Sequence, residues 1–467
     1  MASAQSVRSH SAELKKELGL GDLVLTQILY VVGSHWIGTA AQIGNSQIAY
    51  WLLAVVFFYA PLAAVIIYLN RIMPLEGGLY QWAKLGFNNF VGFLVGWNLW
   101  LYIIVFMSTQ GMAISTNIAY AFGADSIAGN KWFIMLVTCS LVAFLIVVTT
   151  LGLGIGKWFQ NAGGVVQIVI FGTLILIPFA SVRSGALDAY HPLAMAVPAV
   201  SFFSLNIFGK MSFGAFSGFE YVAILAGECK SPARSIGRSV LIASPIVALM
   251  FILGTSAILA YASPEQVDLV GPIPQVLSIA FRRFAWAGIV GPIVILLLVG
   301  RQLGACTLAV AGSTRLPMVA GWDHLLPQWF SRLHPKYKTP VNSILFVAAM
   351  ILVTGLASLA GVGRQEAFQI LDNSSGIFYS LTYLVMFALP LIGLRKSGVR
   401  PPWWLRGAAV SGFAVTLLYS VLSIFPIIPV ASLLAFSAKV GGVILTANLI
   451  GASLYWWEKR SATGTDA

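Results

Sequence analysis

The stretch Val31-Val-Gly-Ser-His-Trp-Ile-Gly-Thr-Ala-Ala41 lies inside the first long apolar run of the chain. In hydrocarbon every backbone N–H and C=O needs an internal partner, so a membrane-crossing helix is expected to be a continuous apolar cylinder. This run instead places Gly33, Ser34, His35, Gly38 and Thr39 at its middle. Far downstream, Phe213-Gly-Ala-Phe-Ser-Gly-Phe-Glu220 interrupts another apolar run in the same way. Two glycine-interrupted apolar helices at corresponding places in two halves mark a solute site at membrane mid-depth, between inverted repeats.

The surrounding composition agrees. Of 467 residues, 58% are hydrophobic and only 9% charged, which is too apolar for a soluble chain of this length. About twelve apolar runs are near 20 residues or longer, the length a membrane-spanning helix requires. They fall near 23–46, 48–70, 90–117, 131–151, 160–182, 201–227, 239–262, 284–312, 341–360, 369–394, 407–429 and 434–457. The loops between them are short, so the sequence predicts an all-α membrane protein with no soluble domain. The first residues are polar and the run after them is too long for a signal-peptide core, so no cleavable signal is expected. Cys139, Cys229 and Cys306 fall in or beside helices and show neither a disulfide framework nor metal-ligand spacing.

The net charge of +12 does not indicate nucleic-acid binding, because its distribution follows topology. With the N-terminus placed in the cytoplasm, the inner segments collect most of the basic residues, among them Arg8, Lys15, Lys16, Lys230, Arg234, Arg238, Lys336 and Lys338. The outer loops hold Lys131, Arg183, Arg282, Arg283 and Arg364. Both termini are therefore expected inside, with an even number of spans. No nucleotide loop, metal constellation or nucleophile beside a base is evident, so neither an enzyme nor a cofactor is expected; Gly77-Gly78 reads as a turn.

Between the second and third runs, Pro74 breaks the helix and Gly77-Gly78 permits a sharp turn. Nearby Trp82, Trp97, Trp100 and Tyr102 read as interface anchors or packing residues. The pattern Pro74-x-x-Gly77-Gly78-x-Tyr80-x-Trp82, followed by Gly92-Phe93-x-x-Gly96-Trp97, resembles the amino acid–polyamine–organocation (APC) transporter family. Gly218-Phe219-Glu220 followed by Glu228-x-x-Ser231-Pro232-Ala-Arg234-x-Ile236 is similar to that family's sixth helix and the loop after it. Arg315 with Ala320-Gly-Trp-Asp323-His-Leu-Leu-Pro327 resembles the loop after its eighth helix, and Leu333-His334-Pro335-Lys336-x-x-Thr339-Pro340-Val341 the entry to its ninth. The four pieces occur in the family's order over most of the chain.

The resemblance implies the LeuT-type fold: helices 1–5 and 6–10 as inverted repeats within 22–394, helices 11 and 12 over 395–457, and cytoplasmic tails at 1–21 and 458–467. It implies a secondary transporter in the inner or plasma membrane, moving an amino acid by alternating access, proton-coupled or exchanging. A polyamine or organic-cation transporter, and a non-transporting amino acid sensor on the same fold, are the alternatives. The implied partners are a small-molecule substrate and the bilayer, with self-association left open.

In the family, the first break shows Gly-Ser/Thr-Gly, whose free amides bind a carboxylate as a helix N-terminus should. Here Gly33, Ser34, His35 and Trp36 occupy that place, with His35 where the second glycine would stand. Gly38-Thr39 offers a second place to unwind. At the other break Phe213, Gly214, Ala215, Phe216 and Ser217 are expected to line the site, with Phe213, Phe216 and Trp36 as a gate. Close helix packing explains small residues equally well.

Four polar residues are candidates for coupling or gating. Glu220 is a mid-span carboxylate that either bridges helices or carries a proton. Arg301 sits in an apolar run as a resident cation, a carboxylate ligand, or a partner of Glu220 or Asp372. The family's second-sodium hydroxyls would fall near Gly304 and Ala305, which have none, and its alternative lysine would fall at Gln167. Asp372 reads mainly as the N-cap that opens a helix, with an outer substrate or gate contact as the lesser reading.

Overall fold

The computed structural model describes residues 16–464 except 76, 123–126, 128–129, 268–270, 282–286, 323–325, 358–363, 395–399, 428–429 and 431. The tail up to Lys15, Arg282, Arg283, the Asp323 to Leu325 part of the third motif, and Arg395 with Lys396 lie outside the described residues.

The described chain is helical. The first segments are α1 (Leu20–Val31), α2 (Ser34–Ala41), α3 (Gln47–Ala54), α4 (Ala60–Ile72) and α5 (Leu79–Gly86). Then come α6 (Asn89–Ala121), α7 (Lys131–Leu151), α8 (Leu153–Arg183), α9 (Phe202–Gly209), α10 (Tyr221–Ile224) and α11 (Pro232–Leu259). The last are α12 (Pro272–Phe281), α13 (Ala287–Trp322), α14 (Val341–Ala357), α15 (Arg364–Leu391), α16 (Trp403–Leu422) and α17 (Leu433–Gly464). Wide π-helical turns join α3 to α4 at Val55–Tyr59 and follow α9 at Lys210–Gly214.

Among the described residues, nine helical stretches are long and apolar enough to cross a membrane, and α1 with α2 makes a tenth, bent by 44° at its break. Two of the twelve expected runs do not form one such helix. The run 201–227 is divided into α9, the π turn and α10, and the run 341–360 gives α14 with 17 residues. The reason for the first is built into the sequence, because Gly218 has φ +120°, a backbone that side chains with a Cβ rarely adopt.

The long helix α13 packs along both α8 and α6, and α6 also carries α15, so these four form a frame. The broken α1–α2 pair lies against α8 and α11. Aromatic rings fill the space where the two π turns meet: Phe58 packs edge-on to Phe213, and Tyr59 stacks on Phe216 at 4.2 Å. Trp82 is fully buried and donates to the Met73 carbonyl at 2.8 Å, so it packs rather than anchors at an interface.

One end of the bundle is held by charge. The Arg315 guanidinium donates to Glu228 at 2.5 Å, with Arg315 only 1% exposed. Beside it, Leu18 N–H donates to the Glu228 carbonyl and Lys230 N–H to the Leu18 carbonyl, pairing the N-terminal segment with this loop. Lys157 reaches Glu17 at 3.3 Å. Removing one member of a buried ion pair leaves the other uncompensated, at about 3–5 kcal/mol. Glu228→Ala is therefore expected to lower the melting temperature in detergent well below wild type. The double variant Arg315→Met, Glu228→Met is expected to recover much of the loss; equal loss in both would show that the pair is not what holds this end.

Candidate functional site

At the first break α1 ends with Val32 N–H on the Ile28 carbonyl, and Gly33 N–H turns back to Val31 at 2.9 Å. Helix α2 starts at Ser34 with no side-chain cap. The Trp36 N–H donates to the Gly33 carbonyl at 3.3 Å, and the Ser34 and His35 amides before it stand at the helix start, where no carbonyl one turn earlier accepts them. Gly38 lies buried inside the unbroken α2, so unwinding does not occur there. The carbonyl of Val32, released by the break, is met by two side chains: Arg301 Nη2 at 2.9 Å from α13 and Gln167 Nε2 at 3.0 Å from α8.

The second break falls at Ser217 to Glu220, the latter half of the expected Phe213 to Glu220 interruption. The π turn at Lys210–Gly214 absorbs an extra residue without leaving the helix. Gly218 N–H donates to the Tyr383 hydroxyl at 2.8 Å. The Glu220 carboxylate is fully buried and accepts from the hydroxyls of Tyr379 and Tyr383, so it bridges this break to α15. It does not pair with Arg301.

A cavity of about 160 Å³ opens between the two breaks. Gly33, Ser34, His35, Trp36, Phe213, Gly214 and Ser217 line it, as do Arg301 and Asp372. It also reaches Gly271 and Pro274, which follow α11, whereas Glu228 precedes that helix. The cavity thus extends away from the ion-paired end. Other expected site residues lie elsewhere. Ala215 and Phe216 are buried, with Phe216 edge-on to Trp51 and Phe251, so Phe216 is no part of a gate over the cavity. Gln167 and Glu220 stand behind the wall, hydrogen-bonded to Val32 and to the two tyrosines. Asp372 is not an N-cap, because α15 begins at Arg364 and carries it well inside the helix.

The structure adds residues that the sequence reading passed over. Tyr30, Tyr102 and Tyr379 line the cavity; Tyr102 stacks on Tyr379 at 4.1 Å, and Tyr30 on Tyr221 at 4.3 Å. Tyr102 read as an interface anchor or a packing residue, and nothing in the spacing of the three tyrosines brings them to one point. Gln302 Nε2 donates to Gln110 Oε1 at 2.7 Å, and Asn117 reaches Gln302 at 3.3 Å, an amide chain from α6 to α13. Lys210 is buried and donates to Asn373 at 3.1 Å. Amides and a lysine inside apolar runs were the available signal for these. Among the described residues no cluster of His, Cys, Asp and Glu could hold a metal ion. The arrangement offers free amides, fixed charges and ring faces, which are groups that hold a small polar ligand.

The chain matches the family described as amino acid permease over residues 19–450. It is 24% identical over 409 residues to an uncharacterized transporter of Legionella pneumophila, covering 85% of this chain and 84% of that protein. It is 23% identical over 397 residues to the branched-chain amino acid permease BcaP of Bacillus subtilis, covering 78% and 81%. The fold matches that of MhsT in complex with L-phenylalanine, with a TM-score of 0.64 at 13% identity, covering 88% of this chain and 99% of that one. These relatives are transporters, not enzymes.

The Trp36 ring fixes the fit between the breaks. A Cβ on Gly214 would lie 2.4 Å from Trp36 Cη2, and one on Gly33 would lie 2.7 Å from Trp36 Cδ1. Gly214→Leu and Gly33→Leu are each expected to abolish ligand-induced thermal stabilisation while the purified protein stays monodisperse. Undiminished uptake by both variants would remove the two-break cavity as the site.

Proposed function

Because the chain belongs to the amino acid permease family of the APC superfamily, we propose that it carries an amino acid across the membrane by alternating access, without sodium. At the coarser level the chain is an integral multi-pass membrane transporter of amino acids or related organic solutes. The observation that supports the finer reading is the cavity bounded by both helix breaks. An engineered apolar cavity of about 150 Å³ holds benzene, so 160 Å³ suits an amino acid better than an extended polyamine. The substrate carboxylate sits at the first-turn amides of α2, where the helix dipole favours an anion. Trp36 and Phe213 close over it.

The absence of sodium coupling follows from Val32. A sodium ion at the break needs an oxygen cage, as hard cations do. The released carbonyl is already engaged by Arg301 and Gln167, and Gly304 and Ala305 offer no hydroxyl. The guanidinium is the resident cation, and a proton or a second solute drives the cycle. The inverted repeats within 22–394, the two added helices and cytoplasmic termini belong to the same reading.

Two measurements test it. Replacing sodium by choline at constant pH is expected to leave amino acid uptake into proteoliposomes unchanged; steep sodium dependence would contradict the reading. Arg301→Ala is expected to lose uptake, and Arg301→Lys to keep part of it, because a point charge with N–H donors still reaches a carbonyl. If Lys fails as completely as Ala, the planar guanidinium binds the substrate carboxylate in bidentate fashion instead. Wild-type uptake by Arg301→Ala would take the residue out of the mechanism.

A further inference from the structure

We propose that Asp372 is the residue that selects the substrate by its amine: its carboxylate takes a cationic nitrogen, so the cavity accepts amino acids and compact amines and rejects carboxylic acids that lack one. The inference rests on the cavity being the transport site.

Four observations carry it. Asp372 lines the cavity from α15, and its position inside the helix leaves the carboxylate free of any capping duty. No side-chain hydrogen bond or ion pair holds that carboxylate among the described residues. Two bases feel its charge through space, Lys210 and His35, but neither hydrogen-bonds it: Lys210 Nζ donates to Asn373, and the Arg301 guanidinium is taken by the Val32 carbonyl. The surrounding wall is aromatic, with Phe213 against Tyr419 at 4.6 Å and Tyr102 against Tyr379 at 4.1 Å.

A carboxylate held at membrane depth with no hydrogen-bond donor is unfavourable, and such residues face a water-filled cavity or the ligand pathway. Ring faces carry negative charge and attract cations within about 6 Å of their centroids. A carboxylate set among them favours an ammonium group and repels an anion. The α2 amides provide the complementary anion-binding side, and the Arg301 guanidinium on the Val32 carbonyl adds positive charge beside them. The cavity therefore presents one acidic and one basic wall, which suits a zwitterion.

Six probes test this on the purified full-length protein by isothermal calorimetry: L-leucine, L-phenylalanine, their amines 3-methylbutylamine and 2-phenylethylamine, and their des-amino acids 4-methylpentanoate and 3-phenylpropanoate. At least one amino acid and its amine are expected to bind, with the matching des-amino acid weaker by at least tenfold. Asp372→Asn is expected to weaken the amine by at least tenfold, to narrow the gap to the des-amino acid, and to leave the unliganded melting temperature equal or higher. Des-amino acids binding as tightly as the amino acids would overturn the role of Asp372 and leave the transport reading standing. So would wild-type amine affinity in Asp372→Asn, or an unliganded Asp372→Asn that melts far lower, which would make the residue structural. A wild-type protein that binds none of the six would overturn both.

Discussion

The Val32 carbonyl is released from its helix in the middle of an apolar bundle. A backbone oxygen left without a donor in such surroundings costs several kcal/mol, and water is not freely available to supply one. Here two donors arrive from different helices, Arg301 on α13 and Gln167 on α8. The same logic holds at the other break, where Gly218 N–H finds Tyr383 and the Glu220 carboxylate finds Tyr379 and Tyr383. Each interruption persists because the α8, α13 and α15 frame supplies its missing partners. With those partners in place, the free amides of α2 remain facing the cavity.

This arrangement ties structure to transport. The partners of the two breaks come from different elements: the α1–α2 break is held by α8 and α13, the break before α10 by α15. A relative movement of these elements would change the shape of the cavity and the hydrogen bonding of both breaks together. The cavity extends away from the Arg315–Glu228 pair, and the Tyr30–Tyr221 stack lies on the side of that pair. The buried ion pair and the N-terminal segment paired beside it tie that end of the bundle together.

Much of the fold was legible in the sequence because hydrophobic run length is a strong physical signal in membrane proteins. The two broken helices were legible because glycine and polar residues at mid-span conflict with hydrocarbon. Their register was less so. Gly33 rather than Gly38 marks the first break. At the second, the π turn at Lys210–Gly214 keeps the chain helical to Phe216, so that only Ser217 to Glu220 of the Phe213 to Glu220 interruption unwinds. Asp372 looked like a helix cap because Asp-Asn-Ser-Ser favours one, but tertiary packing extends α15 back to Arg364. The tyrosines around Glu220 were not legible, because Tyr30, Tyr102, Tyr379 and Tyr383 converge only through the crossing of three elements. Arg301 was visible as an anomaly, yet its partner is a backbone oxygen, which no residue pattern reveals.

The central claim is that the substrate lies between the two breaks while Arg301 keeps the Val32 carbonyl. The most direct measurement is a cryo-electron microscopy map of the protein in nanodiscs with a transported amino acid bound. The account predicts ligand density whose carboxylate lies about 2.7–3.2 Å from the amides of Ser34 or His35, with the Arg301 guanidinium still on Val32. Ligand density outside this cavity, or a metal ion on the Val32 carbonyl with Arg301 displaced, would contradict it.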